Sequence, residues 1–480
     1  MLCPQSRQSS AKSSHPLISL WIAACALLAS CGLGSHEPTE ADLSAFGTYV
    51  NQLDSSVTGH WFTRMGLSDD ADSVLAVLQR EVPANGLDSS LYKISQIEED
   101  LKIVRSLAFD SVGQSINEVL PRLEKNLSQA YVSYATGQRY GFVRPKKVLA
   151  ANVFAYEVEK PDTAAVNAKL DATDRVSFLK TSQPQSPVFK ALQKEFAKST
   201  DKDQRRKLAL NMERCRWQMK QPDGKGRYVV VNIAAQALWA VGGDSVLPMR
   251  ICCGKVSTKT PLLYSEISYM QVNPEWNIPY NIVKSEVAHH GGDSAYFARH
   301  RYYIVNRSTG EKVDARSVTP AQLNSGNWRV SQQGGAGNSL GRIVFRFPND
   351  FSVYLHDTSN RGAFASDHRL LSHGCVRVQK PFDLACFLLP DIDEWTKDMI
   401  RISMDLTPQT DRGRSYVRSH SEDPRPLRLI SYKDIKPKVP LYITYYTAYP
   451  NPATGVVEFW PDLYGYDQLI GHELEPFLQK

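Results

Sequence analysis

The amino-acid sequence predicts an α+β protein with a helical N-terminal region followed by a mostly antiparallel β domain. Apolar residues recur at helical spacing from about residue 42 to residue 217. From residue 225 onwards, short strand-like runs alternate with clusters of Gly, Pro and Asn. The chain has 480 residues, 42% of them hydrophobic, which is enough for two or three separate cores.

Three segments of the N-terminal region carry apolar residues on one helical face. The third begins at Ser186-Pro187, a capping serine followed by proline in the first turn. We expect the second to end at Gly137, with a kink or fresh start at Pro121. The apolar positions of the three segments are Val74, Leu75, Leu78 and Val82; Ile116, Val119, Leu120, Leu123, Leu127, Ala130, Tyr131 and Tyr134; and Phe189, Leu192 and Phe196. We assign them to the core.

The β domain is predicted from runs of β-branched and aromatic residues. The predicted strands are 228–241, 246–254, 268–272, 302–306, 343–347 and 352–355, and a helix is expected from Pro381. Residues 401–430 are predicted to be an Arg-rich loop, either simply solvated or a flexible flap over a site for an anionic peptide. Residues 431–480 are expected to close the domain with a hairpin.

The first 30 residues have the pattern of an export signal. Arg7 and Lys12 precede an apolar run that is too short to span a membrane, and small residues follow it. The run ends in Leu28-Ala-Ser-Cys31, which resembles the bacterial lipobox, in which the cysteine is diacylated and becomes the N-terminus. We therefore expect a lipid anchor at Cys31, a polar tether over 31–41 and a mature chain outside the inner membrane. The alternative is an ordinary signal with an incidental cysteine.

The net charge and the cysteine content reduce the number of possible functions. The net charge is only +6, and no stripe of Lys and Arg interleaved with aromatics occurs, so nucleic acid is not an expected partner. Beyond the signal and anchor the cysteines are Cys215, Cys252, Cys253, Cys375 and Cys386. Five is an odd number, so at least one thiol stays free in a compartment that permits disulfides. A free exported thiol is a candidate for function.

Cys375 stands in the sequence Ser372-His-Gly-Cys, downstream of His356 at the end of an alternating strand. A strand end holds a base rigidly, and Gly374 lets the main chain approach a substrate closely. We expect the turn to lead into a helix whose positive end, with an imidazolium, favours the thiolate. The N–H groups of Gly374 and Cys375 would then face a developing oxyanion.

Other interpretations of these residues are a hydrogen-bonded core histidine and a small buried cysteine. Zinc held by His356, His373 and Cys375 is conceivable. However, His-x-Cys is a cramped interval for tetrahedral ligation, and no pattern supplies a fourth ligand. We expect neither a metal nor an organic cofactor.

His356, followed after fifteen residues by Ser372-His-Gly-Cys-Val-Arg377, resembles the signature of the L,D-transpeptidases with a YkuD-type catalytic domain. Similarity continues at 211–217, 228–233, 273–279 and 442–448. Over roughly residues 40 to 470 the chain resembles the large, scaffold-bearing, YcbB-like branch of Gram-negative bacteria. The resemblance implies a helical scaffold domain over 42–217 and a β-sandwich-like catalytic domain over 225–400.

The resemblance also implies roles for individual residues. Cys375 would be the nucleophile and His356 the base, whose imidazole the main-chain carbonyl of Asp357 orients. His373 and Gly374 would complete the catalytic turn. Ser372 and Arg377 would bind substrate, with Arg377 holding a carboxylate.

The sequence departs from the family pattern in two places. Large relatives often insert a peptidoglycan-binding module between scaffold and catalytic domain, but Phe196 is followed within a dozen residues by Arg205-Arg-Lys. How glycan is held is therefore open. Cys215 stands where an aromatic residue is usual, a change that looks structural.

The resemblance implies an enzyme that acts on peptidoglycan stem peptides. Cys375 would attack the carbonyl of the third, diamino-acid residue and release D-alanine, and the thioester would pass to an amine. A stem amine would give a 3,3 cross-link, a protein lysine or free D-amino acid would give tethering or editing, and water would make the enzyme a carboxypeptidase. An amidase on the same fold and a silent envelope scaffold are the alternatives.

The resemblance and the signal together imply a place in the cell. The expected partners are stem peptides, a membrane held through the lipid, and envelope proteins as possible acceptors. We expect a lipoprotein of the cell envelope that faces the periplasm. Gly32 is not the aspartate that retains some lipoproteins in the inner membrane, which favours the outer membrane. Family members often react with carbapenems, so Cys375 is expected to be acylated by one.

Overall fold

A computed structural model describes residues 40–63, 65–423 and 425–479, with backbone only for 40–44. The predicted signal peptide and lipid anchor at Cys31 lie outside the described residues, as does most of the predicted tether. The described chain begins in a helix at Glu40, so the last two predicted tether residues are helical. None of the described helices is long and apolar enough to cross a membrane.

The N-terminal region is helical, as the sequence predicts. Its helices are α1 (Glu40–Val50), α2 (Ala71–Ala84), α3 (Ile94–Ser106), α4 (Phe109–Val112), α5 (Ile116–Tyr140), α6 (Pro145–Val148), α7 (Thr163–Asn167), α8 (Arg175–Ser182), α9 (Pro187–Lys198) and α10 (Lys202–Arg216). Two short strands, β1 (Phe62–Thr63) and β2 (Gly66–Leu67), pair before α2. The apolar positions predicted to be core are buried in all three segments.

The second predicted helix differs in two details. α5 runs through Pro121 without a break and continues to Tyr140, past Gly137. A Cβ at Gly137 would lie 2.2 Å from the Phe142 ring, so this glycine makes room for an aromatic side chain and does not end the helix.

The second half of the chain is β-rich with short helices. Its strands are β3 (Arg227–Asn232), β4 (Ala237–Gly242), β5 (Ser245–Gly254), β6 (Leu263–Val272), β7 (Trp276–Asn277), β8 (Tyr302–Asn306), β9 (Lys312–Val313), β10 (Trp328–Gln332), β11 (Ile343–Arg346), β12 (Leu355–His356), β13 (Leu370–Ser372), β14 (Val376–Val378), β15 (Tyr432–Thr444), β16 (Ala448–Pro450) and β17 (Val457–Phe459). Its helices are α11 (Tyr280–Ile282), α12 (Ser294–Arg299), α13 (Pro320–Leu323), α14 (Pro381–Leu388), α15 (Glu394–Ser403), α16 (Asp411–Ser419) and α17 (Tyr466–Leu474).

Nine strands form one sheet in the order β13-β5-β14-β12-β11-β6-β15-β3-β4. Neighbours are antiparallel except for β13–β5, β14–β12 and β15–β3. β5 also pairs with β4, so its first half and its second half contact opposite ends of the strand order. The sheet therefore returns on itself around a shared core.

The single strand predicted over 228–241 is two strands, β3 and β4. The apolar run hides a turn, in which Gln236 has a φ of +49° and donates its N–H to the Ile233 carbonyl at 3.0 Å. Hydropathy alone cannot reveal this turn, because the flanking residues are buried on both sides of it.

Residues 273–341, inserted between β6 and β11, form a small unit that we call the cap. Its four-stranded sheet has the order β7-β10-β8-β9 and packs against α11, α12 and α13. Its hydrophobic cluster, which includes Ile282, Ile304 and Val330, is separate from that of the main sheet. The sequence analysis did not distinguish this unit from the rest of the β domain.

The predictions for the last 80 residues need correction. Residues 401–430 are not one loop, because they contain the end of α15 and all of α16. Four of the arginines form ion pairs, Arg401 with Asp398, Arg414 with Asp411, Arg425 with Asp423 and Arg428 with Asp405. Within 431–480, β15 joins the main sheet between β6 and β3, only β16 and β17 form a hairpin, and α17 follows.

Packing places the boundary between the two halves earlier than the sequence does. Phe189 and Phe196 of α9 and Leu208 and Met212 of α10 belong to the hydrophobic cluster of the main sheet. A separate cluster spans Phe46 to Leu179. The last two helices before residue 217 therefore pack as part of the β domain.

α10 connects the two clusters through a buried ionic network. Arg216 is 1% exposed and lies 3.3 Å from the Glu213 carboxylate. The same guanidinium donates to Gln138 Oε1 of α5 at 3.0 Å and to Asn85 Oδ1 after α2 at 2.9 Å. The nearby Arg214 pairs with Asp467 of α17 at 2.7 Å.

Replacing Arg216 by Met is expected to lower the free energy of unfolding by about 3–5 kcal/mol, because Glu213 would remain buried without its cation. Equilibrium urea unfolding measures this change. Arg414→Met is the matched control, since Arg414 is 46% exposed and pairs with an exposed Asp411, and it should leave stability nearly unchanged. Equal effects of both variants would contradict the assignment.

Candidate active site

Cys375 lies in a tight turn between two strands that both pair with β5. Gly374 in this turn has a φ of +116°, a left-handed backbone conformation that favours glycine. The nearest neighbour of a Cβ there would be Val353 at 3.5 Å, so space is available. Glycine is therefore required for the path of the backbone rather than for lack of room.

The segment after Cys375 is a strand, not the predicted helix. Val376 and Val378 are buried and Arg377 is half-buried. This alternation has the two-residue period of a strand. α14 begins only at Pro381. The expectation that a helix N-terminus stabilises the thiolate is therefore wrong.

Ser372 holds the turn together from inside. Its hydroxyl donates to the Cys375 carbonyl at 2.5 Å and accepts the Gly374 N–H at 3.2 Å. The Ser372 carbonyl accepts the Lys255 N–H and the Thr258 hydroxyl, both at 3.0 Å. These bonds show that Ser372 shapes the turn, and because Ser372 also lines the cavity of Cys375, the substrate-binding role expected from sequence stays a prediction. They also engage the Gly374 N–H, one of the two N–H groups that the sequence analysis expects to face the oxyanion.

His356 ends β12 and is only 4% exposed. Its Nδ1 lies 2.5 Å from the main-chain carbonyl of Asp357, the contact that the sequence analysis expects. A carbonyl accepts only a donated proton, so Nδ1 carries the hydrogen and Nε2 is left as the basic nitrogen.

The Asp357 side chain fixes that carbonyl in place. Its carboxylate accepts the Arg342 N–H at 2.9 Å and a guanidinium N–H of Arg361 at 2.8 Å. Gly341 packs directly against it, since a Cβ there would lie 2.5 Å from the Asp357 side chain. The residue that orients the base is thus held from three directions.

The pKa shifts of the histidine and the cysteine both favour the neutral form. Burial, with the nearby positive charge of Arg377, lowers the pKa of His356 to about 4. Burial raises the pKa of the Cys375 thiol above its ordinary value, although the Tyr354 N–H favours the thiolate. The two shifts therefore favour a thiol and a neutral imidazole over the thiolate and imidazolium expected from sequence.

Cys375, His356 and Arg377 line one cavity of about 270 Å³. Arg377 Nε is buried there and has no hydrogen-bond partner within the described part of the chain. A buried guanidinium N–H without an acceptor is costly unless a ligand supplies one. This fits the carboxylate-binding role that the resemblance implies.

The cap supplies the opposite wall of the cavity through Trp276, Pro279, Asn281 and Ile282. The sequence analysis quoted residues 273–279 as similar to the family but gave them no role. The Trp-x-x-Pro spacing of Trp276 and Pro279 was the sequence signal available for this wall. Nothing in that spacing indicates that the segment faces the cavity of Cys375.

His373 is directed towards the cap. Its Nε2 lies 2.7 Å from a carboxylate oxygen of Glu286, a cap residue that the sequence analysis did not single out. This contact joins the catalytic turn to the cap.

The remaining cysteines of the described chain are also free thiols. Cys215, Cys252 and Cys253 are buried and Cys386 is partly exposed. Burial raises the pKa of each of them. Residues 40–63, 65–423 and 425–479 contain no group of three or more His, Cys, Asp or Glu that could hold a metal ion.

Alkylation of Cys375 by iodoacetamide should become about tenfold faster per pH unit between pH 6 and 8.5. The reason is that only the thiolate reacts, that burial raises the pKa of the thiol above its ordinary value, and that His356, with a pKa of about 4, does not titrate in this range. Peptide mass mapping after timed labelling measures the rate, with Cys375→Ala as the blank. A pH-independent rate between pH 5 and 8 would instead indicate a resting thiolate–imidazolium pair.

Two protein families match the chain. The family described as the L,D-transpeptidase catalytic domain, YkuD, matches residues 226–397, and the family described as the Scaffold domain matches residues 57–196. A Haemophilus influenzae protein described as an L,D-transpeptidase is 29% identical over 325 residues, which are 66% of this chain and 60% of that protein. The chain thus spans less than two thirds of the length of this relative.

The turn that carries Cys375, the buried His356 and the unpartnered Arg377 all lie inside the region matched by the catalytic family. The matched scaffold precedes it, an arrangement consistent with the YcbB-like branch. On these grounds the chain carries an L,D-transpeptidase catalytic domain of the YkuD family, preceded by a Scaffold domain.

Proposed function

We propose that this chain is a peptidoglycan L,D-transpeptidase that uses Cys375 as its nucleophile. The observation that carries the proposal is one cavity in which a thiol, a buried neutral imidazole and an arginine without an internal partner converge. The thiol and the imidazole are the nucleophile and the base that acyl transfer needs. The arginine suits a substrate that carries carboxylates.

In the first step the Cys375 sulfur bonds to the carbonyl carbon of the third stem residue while its proton passes to His356 Nε2. The Cys375 N–H would stabilise the oxyanion. The bond to the terminal D-alanine then breaks, and its amine takes the proton from His356. The depressed pKa of His356 helps here, because the transient imidazolium is a strong acid.

In the second step an amine attacks the thioester carbon and the carbon–sulfur bond breaks. The amine's proton returns through His356 to the Cys375 sulfur, so the enzyme is restored. A stem amine as acceptor gives the 3,3 cross-link of cell-wall remodelling. No step in this scheme assigns a role to a metal or organic cofactor.

We also propose that the protein acts as a lipoprotein at the periplasmic face of the cell envelope, with the outer membrane preferred. The lipobox-like sequence at Cys31 and the export signal before it support this. A lipid anchor would hold the enzyme next to its polymeric substrate. Envelope proteins could then also serve as acceptors.

Mass spectrometry of muropeptides tests the proposal. Protein with its lipid cysteine replaced, incubated with disaccharide-tetrapeptide, should form dimers linked between third residues, and Cys375→Ala should form none. Cys386→Ala, the other partly exposed thiol, is the matched control and should keep full turnover. A carbapenem should add its mass to the wild type and not to Cys375→Ala.

Other products would overturn parts of the proposal. Tripeptide without dimer in the presence of excess acceptor would indicate a carboxypeptidase, and cleavage elsewhere in the stem would indicate an amidase. Unchanged substrate that still binds would indicate a silent scaffold.

Arg377→Gln should lower kcat/KM for the tetrapeptide by about ten- to a hundredfold, the range expected for one charge-assisted hydrogen bond. It should also raise the pKa of His356, because Arg377 is the charge that most lowers it. Steady-state kinetics and imidazole NMR measure the two effects. Arg418→Gln, exposed on α16, is the control. An unchanged kcat/KM in Arg377→Gln would remove this residue from substrate binding.

A further inference from the structure

A second cavity, of about 510 Å³, adjoins the cavity of Cys375. The two share Asn281, Phe351, Val353 and His373 as lining residues. Gly374 lines the second cavity and Cys375 lines the first, so the catalytic turn separates them. A molecule in the second cavity would therefore approach the reacting sulfur from a different direction than the first substrate.

The walls of this cavity come from three distant parts of the chain. They are residues 148–153 of the matched scaffold, the loop 256–261 after β5, and α17 through Tyr466 and Leu469. The scaffold segment is fixed to the sheet, because the Leu262 N–H donates to the Val153 carbonyl at 2.8 Å and the Ala155 N–H donates to the Leu262 carbonyl at 2.9 Å. The cavity is thus a built feature of the fold.

Lys259 is the one lysine or arginine among the residues that line this cavity. Its Nζ donates to the Tyr464 carbonyl at 3.0 Å and lies 4.5 Å from the centre of the Tyr466 ring. No carboxylate in the described chain forms an ion pair with it, and burial lowers its pKa. An ammonium group has three donors, so two remain for a ligand.

We propose that Lys259 binds the carboxylate of the second substrate and so selects an acceptor whose amine and carboxylate are on the same carbon. The inference rests on the transpeptidase function proposed above and concerns only its second step. The carboxylate would pair with Lys259 while the amine is directed past His373 towards the thioester. Further polar side chains on the walls, among them Asn152, Ser257 and Asn281, are uncharged and complement the rest of such a molecule.

This selection separates the possible acceptors by chemistry. A free D-amino acid and the D-centre of a stem diamino acid each carry an amine next to a carboxylate. The side-chain amine of a protein lysine does not. In the transfer the amine nitrogen bonds to the thioester carbon, the carbon–sulfur bond breaks, and the amine's proton goes to the sulfur. Lys259 binds only the acceptor and takes no part in these bond changes.

The test compares two acceptors on the same preformed acyl-enzyme. The thioester is formed with tetrapeptide and detected by intact mass, and D-methionine or D-methionine amide is then added. The ratio of the two transfer rate constants is measured within each variant, so differences in folding or acylation cancel. In Lys259→Met this ratio, acid over amide, should fall about tenfold from the wild-type value, the effect of one lost charge-assisted hydrogen bond.

Three further variants make the result decisive. Lys259→Gln keeps a donor for the Tyr464 carbonyl without the charge, and it should show the same fall. Lys259→Arg should keep most of the wild-type ratio. Lys146→Met, an exposed lysine of α6 next to the cavity wall, should leave the ratio unchanged.

A wild-type ratio in both Lys259→Met and Lys259→Gln would overturn the inference while leaving the transpeptidase intact. Failure of the wild-type protein to form any thioester would instead overturn the proposed function itself.

Discussion

The parallel pairing of β12 with β14 determines the geometry of the active site. These strands have two and three residues, and their register sets Leu355 opposite Val376 and His356 opposite Arg377. Because side chains alternate along a strand, a slip of one residue would turn the base or the arginine away from the cavity. Burial of the aliphatic members and pairing of β14 with the longer β5 prevent that slip. The register places His356 at the same cavity as Cys375 and Arg377, although about twenty residues separate the histidine from the other two.

Much of this arrangement could be predicted from the sequence. The change from helical to strand period near residue 225, the buried faces of α2, α5 and α9, and the pairing of His356 with the Asp357 carbonyl follow from local patterns or from family resemblance. These features depend on residues close in sequence, or on a motif specific enough to identify a family. Each could therefore be stated before any tertiary contact was known.

The predictions that failed depend on tertiary contacts. Burial raises the pKa of Cys375, which no local pattern indicates. The segment after Cys375 is a strand, and a short Val-Arg-Val run does not reveal that the helix begins three residues further on. The cavity walls from the cap and from residues 148–153 have no local pattern that indicates what they face. α9 and α10 have ordinary amphipathic patterns, and only the packing shows that their apolar faces belong to the sheet.

Residues 477–479 pack against residues 86–88 of the helical region. Leu478 forms a β-bridge with Leu87, and hydrogen bonds join Phe477 to Asp88 and Gln479 to Gly86. Leu87 and Leu478 are buried members of different hydrophobic clusters. Contacts between residues so distant in sequence form late and slow folding. The helical region therefore cannot complete its packing around Leu87 until residues 477–479 have been synthesised.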